Sequence, residues 1–307
     1  MASFEYRTFT FRNVNSSAVE LDLVRDTSAP SSLASPKKTL VFFHGGGLCS
    51  GNRRSRFPGW PLEVLMRRGW LILTADYHLL PEGQVEDMIN DVKHLETWIL
   101  AEGRQLGIDP ELIAVAGSSA GAFVSCLALA SWTKLRPRAF YSLYGMLQTD
   151  SDWYVTVKDG SASFAGLPAT SLLAEDSEHY LVSGNTPVWH DTTEMNDPRN
   201  RVRLFMWLLK EGKIGPLVTS SLKAATGENS PLDLITSSFP PTVAIHGTAD
   251  TVVPIADSRA LVAALTKSGV ENQLVEVSGA DHGITPQDKY HAEIEKSVDL
   301  LEAYIRS

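Results

Sequence analysis

The chain has 307 residues, 43% hydrophobic and 21% charged, an ordinary globular composition long enough to bury a core without disulfide staples. Its net charge of −9 argues against nucleic acid and anionic membrane surfaces as partners. The two cysteines, Cys49 beside a glycine-rich loop and Cys126 in an apolar helical pattern, predict free thiols and a reducing, cytoplasmic setting.

No apolar stretch of a secretory signal is predicted at the N-terminus. Phe4, Tyr6, Thr8 and Thr10, then Val19, Leu21 and Leu23, alternate weakly, as two antiparallel strands would. Residues 28–38, rich in Pro, Ser and Ala, read as a loop. Beyond it, short apolar runs at 39–43, 71–75, 113–116, 139–143, 242–246 and 273–277 suit strands buried on both faces of a parallel sheet. Helical patterns at 61–68, 85–106, 120–132, 257–268 and 289–305 accompany them. This rhythm predicts an α/β fold, a doubly wound, mostly parallel sheet with right-handed crossovers.

The uncharged stretch 113–132 is long enough on paper to span a bilayer. Gly117, Ser118, Ser119 and Gly121 break it into strand, turn and helix, so no membrane span is expected. Residues 145–238 lack a convincing strand and show helical patterns such as 202–211, too long an interval for a plain loop. They predict an inserted, mainly helical cap, with domain bounds of 1–147 and 237–307 for the core and 148–236 for the cap. The cap holds Trp153, Tyr154, Phe164, Trp189, Phe205 and Trp207. Most of these belong in the cap's own packing; Trp153 and Phe205 are candidates to touch a substrate.

Gly117-Ser118-Ser119-Ala120-Gly121 fits G-x-S-x-G, a common pattern that gains weight from lying between an apolar run and a helix. A serine there sits on a sharp, exposed turn, with glycines where side chains would collide with neighbouring elements. His44-Gly45-Gly46-Gly47 ends the 39–43 strand, and such a loop points backbone amides at a developing oxyanion. Gly46, Gly47 and Ala120 are the expected oxyanion donors; a phosphate-binding loop does not fit the spacing. A serine hydroxyl needs a base, and the base an orienting acid. His282 follows the last strand and Asp250 the one before it, so both reach the sheet edge that carries Ser119. Asp281, Asp257 and Asp76 compete less well with Asp250. His44 and His246 read as structural, and no metal-ligand spacing is present.

These residues resemble the hormone-sensitive-lipase-like branch of the α/β-hydrolases. The resemblance rests on His44–Gly47, Asp76-Tyr77-His78-Leu79-Leu80-Pro81-Glu82, Gly117–Ala122, Asp250 and His282, and covers residues 38–147 and 229–307. Asp109-Pro110, Ser230-Pro231 and Pro240-Pro241-Thr242 also match it. Ser118, Ala122 and His78 depart from the family's Asp, Gly and Arg. The resemblance implies hydrolysis of short- to medium-chain carboxylic esters without a cofactor, in the chain order Ser, Asp, His.

A small-molecule ester is therefore the expected partner, attacked by Ser119 to give an acyl-enzyme. Resolution by a substrate hydroxyl would make the chain an acyltransferase or a lactone-forming cyclase of secondary metabolism. Amide or formamide cleavage, and a non-catalytic ligand receptor on the same scaffold, are the further alternatives. The oligomeric state is not legible in the sequence.

Overall fold

A computed structural model describes residues 4–14, 17–28, 37–55, 61–158, 163–164, 167–168, 201–285 and 287–306. The strands are β1 (Phe4–Val14), β2 (Ser17–Asp26), β3 (Lys37–Phe43), β4 (Leu71–Ala75), β5 (Ile108–Ser118) and β6 (Ala139–Leu143). A two-residue ribbon, β7 (Ser163–Phe164) and β8 (Leu167–Pro168), precedes β9 (Thr242–Gly247) and β10 (Asn272–Val277). The helices are α1 (Leu62–Arg67), α2 (Val85–Glu102), α3 (Ala120–Ser131), α4 (Asp152–Val155), α5 (Val202–Lys210), α6 (Ile214–Thr226), α7 (Ala256–Lys267) and α8 (His291–Arg306).

Side-chain alternation on continuous apolar strands builds the layers. In β3, Val41 and Phe43 enter one core cluster while Leu40 and Phe42 enter another on the opposite face. In β5, Ile113 and Val115 part from Ala114 and Ala116 in the same way. Both faces are covered, so β4, β6 and β9 are buried along their whole length. The eight-stranded sheet runs β1-β2-β4-β3-β5-β6-β9-β10; β1 and β2 join it antiparallel, and the pairs from β4 to β10 are parallel.

Register aligns the carboxyl ends of the central strands. Phe43 pairs with Gly117, Ser118 with Leu143, Leu143 with Ile245, and Gly247 with Val277. The loops that follow β3, β5, β6, β9 and β10 therefore open on one edge, where ligands bind in parallel sheets.

The uncharged stretch is the end of β5 and the helix α3, whose residues from Ala120 to Ala128 are all buried. Enclosure on every side removes the need for a polar face. No helix among the described residues is long and apolar enough to cross a membrane. Cys49 and Cys126 are buried and unbridged, and burial pushes both thiols up to about 12.

Differences from the sequence-based expectation have local causes. α2 stops at Glu102, four residues before the expected end, with a 3-10 turn over Arg104–Leu106 and a left-handed Gly107 at φ 84°. α6 was hidden by Gly215 and Pro216, which fall in its first turn, where proline is tolerated because no intrahelical donor is lost. Between β6 and β9 no strand of the main sheet lies among the described residues. Leu204, Leu208, Ile214, Val218 and Leu222 of α5 and α6 join the cluster that holds Val92 of α2 and Phe123 of α3. α5 and α6 thus share a core with the sheet's own helices α2 and α3. Trp189 and the side chain of Phe164 lie outside the described residues.

Candidate active site

Ser119 caps α3 directly after β5 with φ 53° and ψ −122°, a left-handed backbone that serine rarely adopts. Neighbours hold it there: its N–H donates to Leu143 O at 2.8 Å, and its carbonyl accepts from Ala122 N at 3.1 Å and Met146 N at 3.0 Å. The flanking glycines answer to crowding and not to φ. A Cβ on Gly117 would lie 2.1 Å from the backbone of Gly121, and one on Gly121 would lie 2.0 Å from Phe43 O. The methyl of Ala122, where the family pattern has Gly, faces Gly145, which could not itself carry a Cβ.

The loop after β3 lies against this elbow, since a Cβ on Gly45 would come 3.1 Å from Ser119 Cβ. Gly46 and Gly47 take positive φ of 121° and 64°, and Gly46 O accepts from Cys49 N and Ser50 N. Among the described residues, the amides of Gly46, Gly47 and Ala120 have no protein acceptor, which leaves them free for an oxyanion. His44 braces the loop: Nδ1 lies 2.7 Å from Gly45 O, the ring stacks on Tyr77, and Tyr77 Oη donates to His44 O. Burial pulls the His44 imidazole down to about 4, so it stays neutral as a brace.

His282 Nδ1 lies 2.7 Å from Asp250 Oδ2. Asp250 Oδ1 accepts from Val252 N and Val253 N, both at 2.9 Å. Burial alone would raise this carboxyl, but hydrogen bonds from His246 and His282 hold it well below the usual carboxylate range. Tyr144 meets His282 edge to face at 4.9 Å between ring centroids. The 143–146 turn therefore touches both centres, holding Ser119 through Leu143 and Met146 and His282 through Tyr144. No hydrogen bond joins Ser119 Oγ to His282; such bonds often tighten only when substrate binds.

The other carboxylates are engaged elsewhere. Asp281 Oδ1 accepts from Thr251 N and from His282 N, fixing the loop and leaving the imidazole to Asp250. Asp76 pairs with Arg53 Nη1 at 2.5 Å. Asp257 Oδ2 accepts from Leu147 N, Gln148 N and Tyr154 Oη, while Oδ1 is buried without a partner among the described residues. Burial pushes Asp257 up to about 6 against those donors. A folded-state value raised from 3.8 means stability that is full below 3.8 and is lost as pH rises through 6. Asp257→Asn keeps an acceptor at Oδ2 and carries no charge, so it should raise the thermal midpoint at pH 8 relative to the parent and change it little at pH 4. Differential scanning calorimetry at the two pH values checks this.

Of the two candidate substrate contacts, Trp153 donates Nε1–H to Val252 O at 3.0 Å, beside the Asp250 loop. Phe205 of α5 packs on the glycine loop, its ring filling the space a Gly47 side chain would need. Arg201, just before α5, donates to Cys49 O and Leu80 O and forks onto Glu82. Tyr144 and the approach of His246 to Asp250 were not foreseen from sequence; only the spacing of His246 and Asp250 hinted at the second. Among the described residues no cluster of His, Cys, Asp and Glu could hold a metal ion.

The structure thus brings to one sheet edge a serine on a strained turn, three amides without a protein acceptor among the described residues, and a carboxylate-bound imidazole. The sequence matches the α/β-hydrolase fold family over residues 40–286, and the chain belongs to that family. It is 26% identical to a non-reducing polyketide synthase, Preu3, of Preussia isomera, over 94% of this chain and 13% of the synthase. It is also 26% identical to the esterase LipC of Mycobacterium tuberculosis, over 86% of this chain and 56% of that protein. The chain thus spans only part of the length of these relatives. A thermophilic esterase from Thermogutta terrifontis shares the fold, with a TM-score of 0.60 and 20% identity over 98% of this chain and 91% of that one.

Proposed function

We propose that the chain is a serine carboxylic ester hydrolase acting on small to medium apolar esters. Contact between His282 Nδ1 and Asp250 Oδ2, with Ser119 on the neighbouring strained turn, is the observation that carries this reading. His282 takes the proton of Ser119 Oγ as the oxygen attacks the ester carbonyl, and later delivers it to the leaving alcohol. Asp250 orients the imidazole and stabilises its cation. The amides of Gly46, Gly47 and Ala120 receive the oxyanion. A water molecule, deprotonated by His282, then releases the acid. Residues 148–236 act as the cap, with Phe205 and Trp153 toward the substrate.

A p-nitrophenyl ester series of increasing chain length tests the reading. Turnover should favour short to medium chains, and Ser119→Ala should remove it by about 10⁴-fold or more. A serine-reactive phosphonate should label the parent at Ser119 and leave the variant untouched. Normal turnover by the variant would overturn the mechanism.

A second reading keeps the acyl-enzyme but lets a substrate hydroxyl attack it, giving a transferred ester or a lactone. The match of nearly the whole chain to a short segment of a polyketide synthase favours it. Product analysis by mass spectrometry with competing alcohols present separates the two: free acid supports hydrolysis, and dominant transesterified or cyclised product supports transfer.

A further inference from the structure

We propose that His246 is a positioning residue for the acid–base pair, a second imidazole that donates to the same Asp250 oxygen as His282 and so sets where the base works in pH. The inference rests on the role given to Asp250 and His282 above. His246 is buried in β9, at the register position of Glu276 in β10. Its Nε2 lies 3.1 Å from Asp250 Oδ2 and 2.9 Å from Val253 O, and its Nδ1 lies 2.7 Å from Ser258 Oγ.

Chemistry assigns the proton. Nε2 faces two oxygens that can only accept, so it must carry hydrogen. Nδ1 faces a hydroxyl, whose one hydrogen satisfies a bare ring nitrogen. His246 is thereby held as a donor toward Asp250, with Ser258 of α7 locking the tautomer. The carboxylate is then ringed by four donors: two backbone amides on Oδ1 and two imidazoles on Oδ2. Oδ2 shares its electron density between the two rings, and a shared acceptor stabilises the His282 cation less than an unshared one.

Other charged and titratable groups pack around the pair. Asp257 of α7 is held by the amides of Leu147 and Gln148 and the hydroxyl of Tyr154 of α4. Glu276 of β10 is paired with Arg259, and Asp281 accepts from Thr251 and the His282 amide. Tyr144 presents its ring to His282. Among the described residues, Asp250 is the one charged group in hydrogen-bond contact with both rings.

Two variants and the parent test this. His246→Met fills the space without a donor, and His246→Gln keeps a side-chain N–H of similar reach. His246→Met should move the acid limb of kcat/KM upward by about half a pH unit or more, lowering kcat with little change in KM. His246→Gln should hold the limb at its parental position. A limb that stays put in His246→Met, or moves equally in both variants, overturns the proposal.

Two spectroscopic readouts need no substrate. In the parent, ring ¹⁵N shifts should report protonated Nε2 and bare Nδ1 for His246; the reverse tautomer overturns the proposal even if His246→Met does not fold. The low-field proton between His282 and Asp250 should move further downfield in His246→Met and not in His246→Gln. If the parent turns over no ester while both readouts hold, the esterase reading falls and the positioning role stands.

Discussion

Asp250→Asn should lower kcat/KM by about 10³- to 10⁴-fold and lower the thermal midpoint as well. An asparagine side chain has an acceptor oxygen and an NH₂ group that can only donate, yet the site offers four donors and no acceptor. With its oxygen toward the two imidazoles, the NH₂ group confronts the amides of Val252 and Val253, and two buried backbone donors lose their partner. With the amide turned over, the NH₂ group confronts both rings. His282 must then leave Nδ1 bare and carry its hydrogen on Nε2, the tautomer that cannot accept the serine proton. Either orientation costs, the first mainly in stability and the second mainly in rate. Steady-state kinetics and calorimetry on the purified variant report both. An effect under tenfold in rate would remove Asp250 from the orienting role.

Gly121→Ala should abolish the folded protein, or destabilise it by about 3 kcal/mol or more. Alanine is the better helix former, and Gly121 lies within the first turn of α3, so propensity alone predicts a gain. Packing reverses the sign. The new methyl would meet Phe43 O at 2.0 Å and His44 O at 2.7 Å, both backbone atoms of β3 and the loop after it. Neither can move without disturbing the pairing of β3 with β5 and the glycine loop that follows. Soluble yield and chemical denaturation give the measurement. A variant as stable as the parent would mean that the elbow and the glycine loop do not lie this close.

The elbow shows what could be read in advance. An apolar run, two glycines around a serine and a helical stretch are local signals, and they predicted the turn that holds Ser119 because a strand-to-helix turn is built from adjacent residues. That Asp250 and His282 meet was legible for a related reason: each follows a strand, and a parallel sheet brings such positions to one edge whatever lies between them. Tyr144 was not legible, because its ring meets His282 across a gap of many residues. His246 carried a real signal, a histidine four residues before the acid, but the direction of its ring depends on where Ser258 and Val253 fall. α6 was missed because Gly215 and Pro216 read as breakers until their place in the first turn is known. Gly47 predicted a turn; that Phe205 fills the space over it follows only from tertiary packing.

The clamp of Arg201 and the seat of Phe205 on Gly47 bear on engineering by exchange of parts. The helix that begins at Val202 is joined to the glycine loop after β3, so residues 201–210 and that loop are not separable modules. A chimaera in which a foreign segment replaces α5 and Arg201 would inherit a glycine loop with no ring packed on it and a Glu82 without the Arg201 guanidinium. Transplants between relatives should therefore travel with residues 201 and 205 and their counterparts around 47 and 82, as one cassette drawn across the covalent boundary.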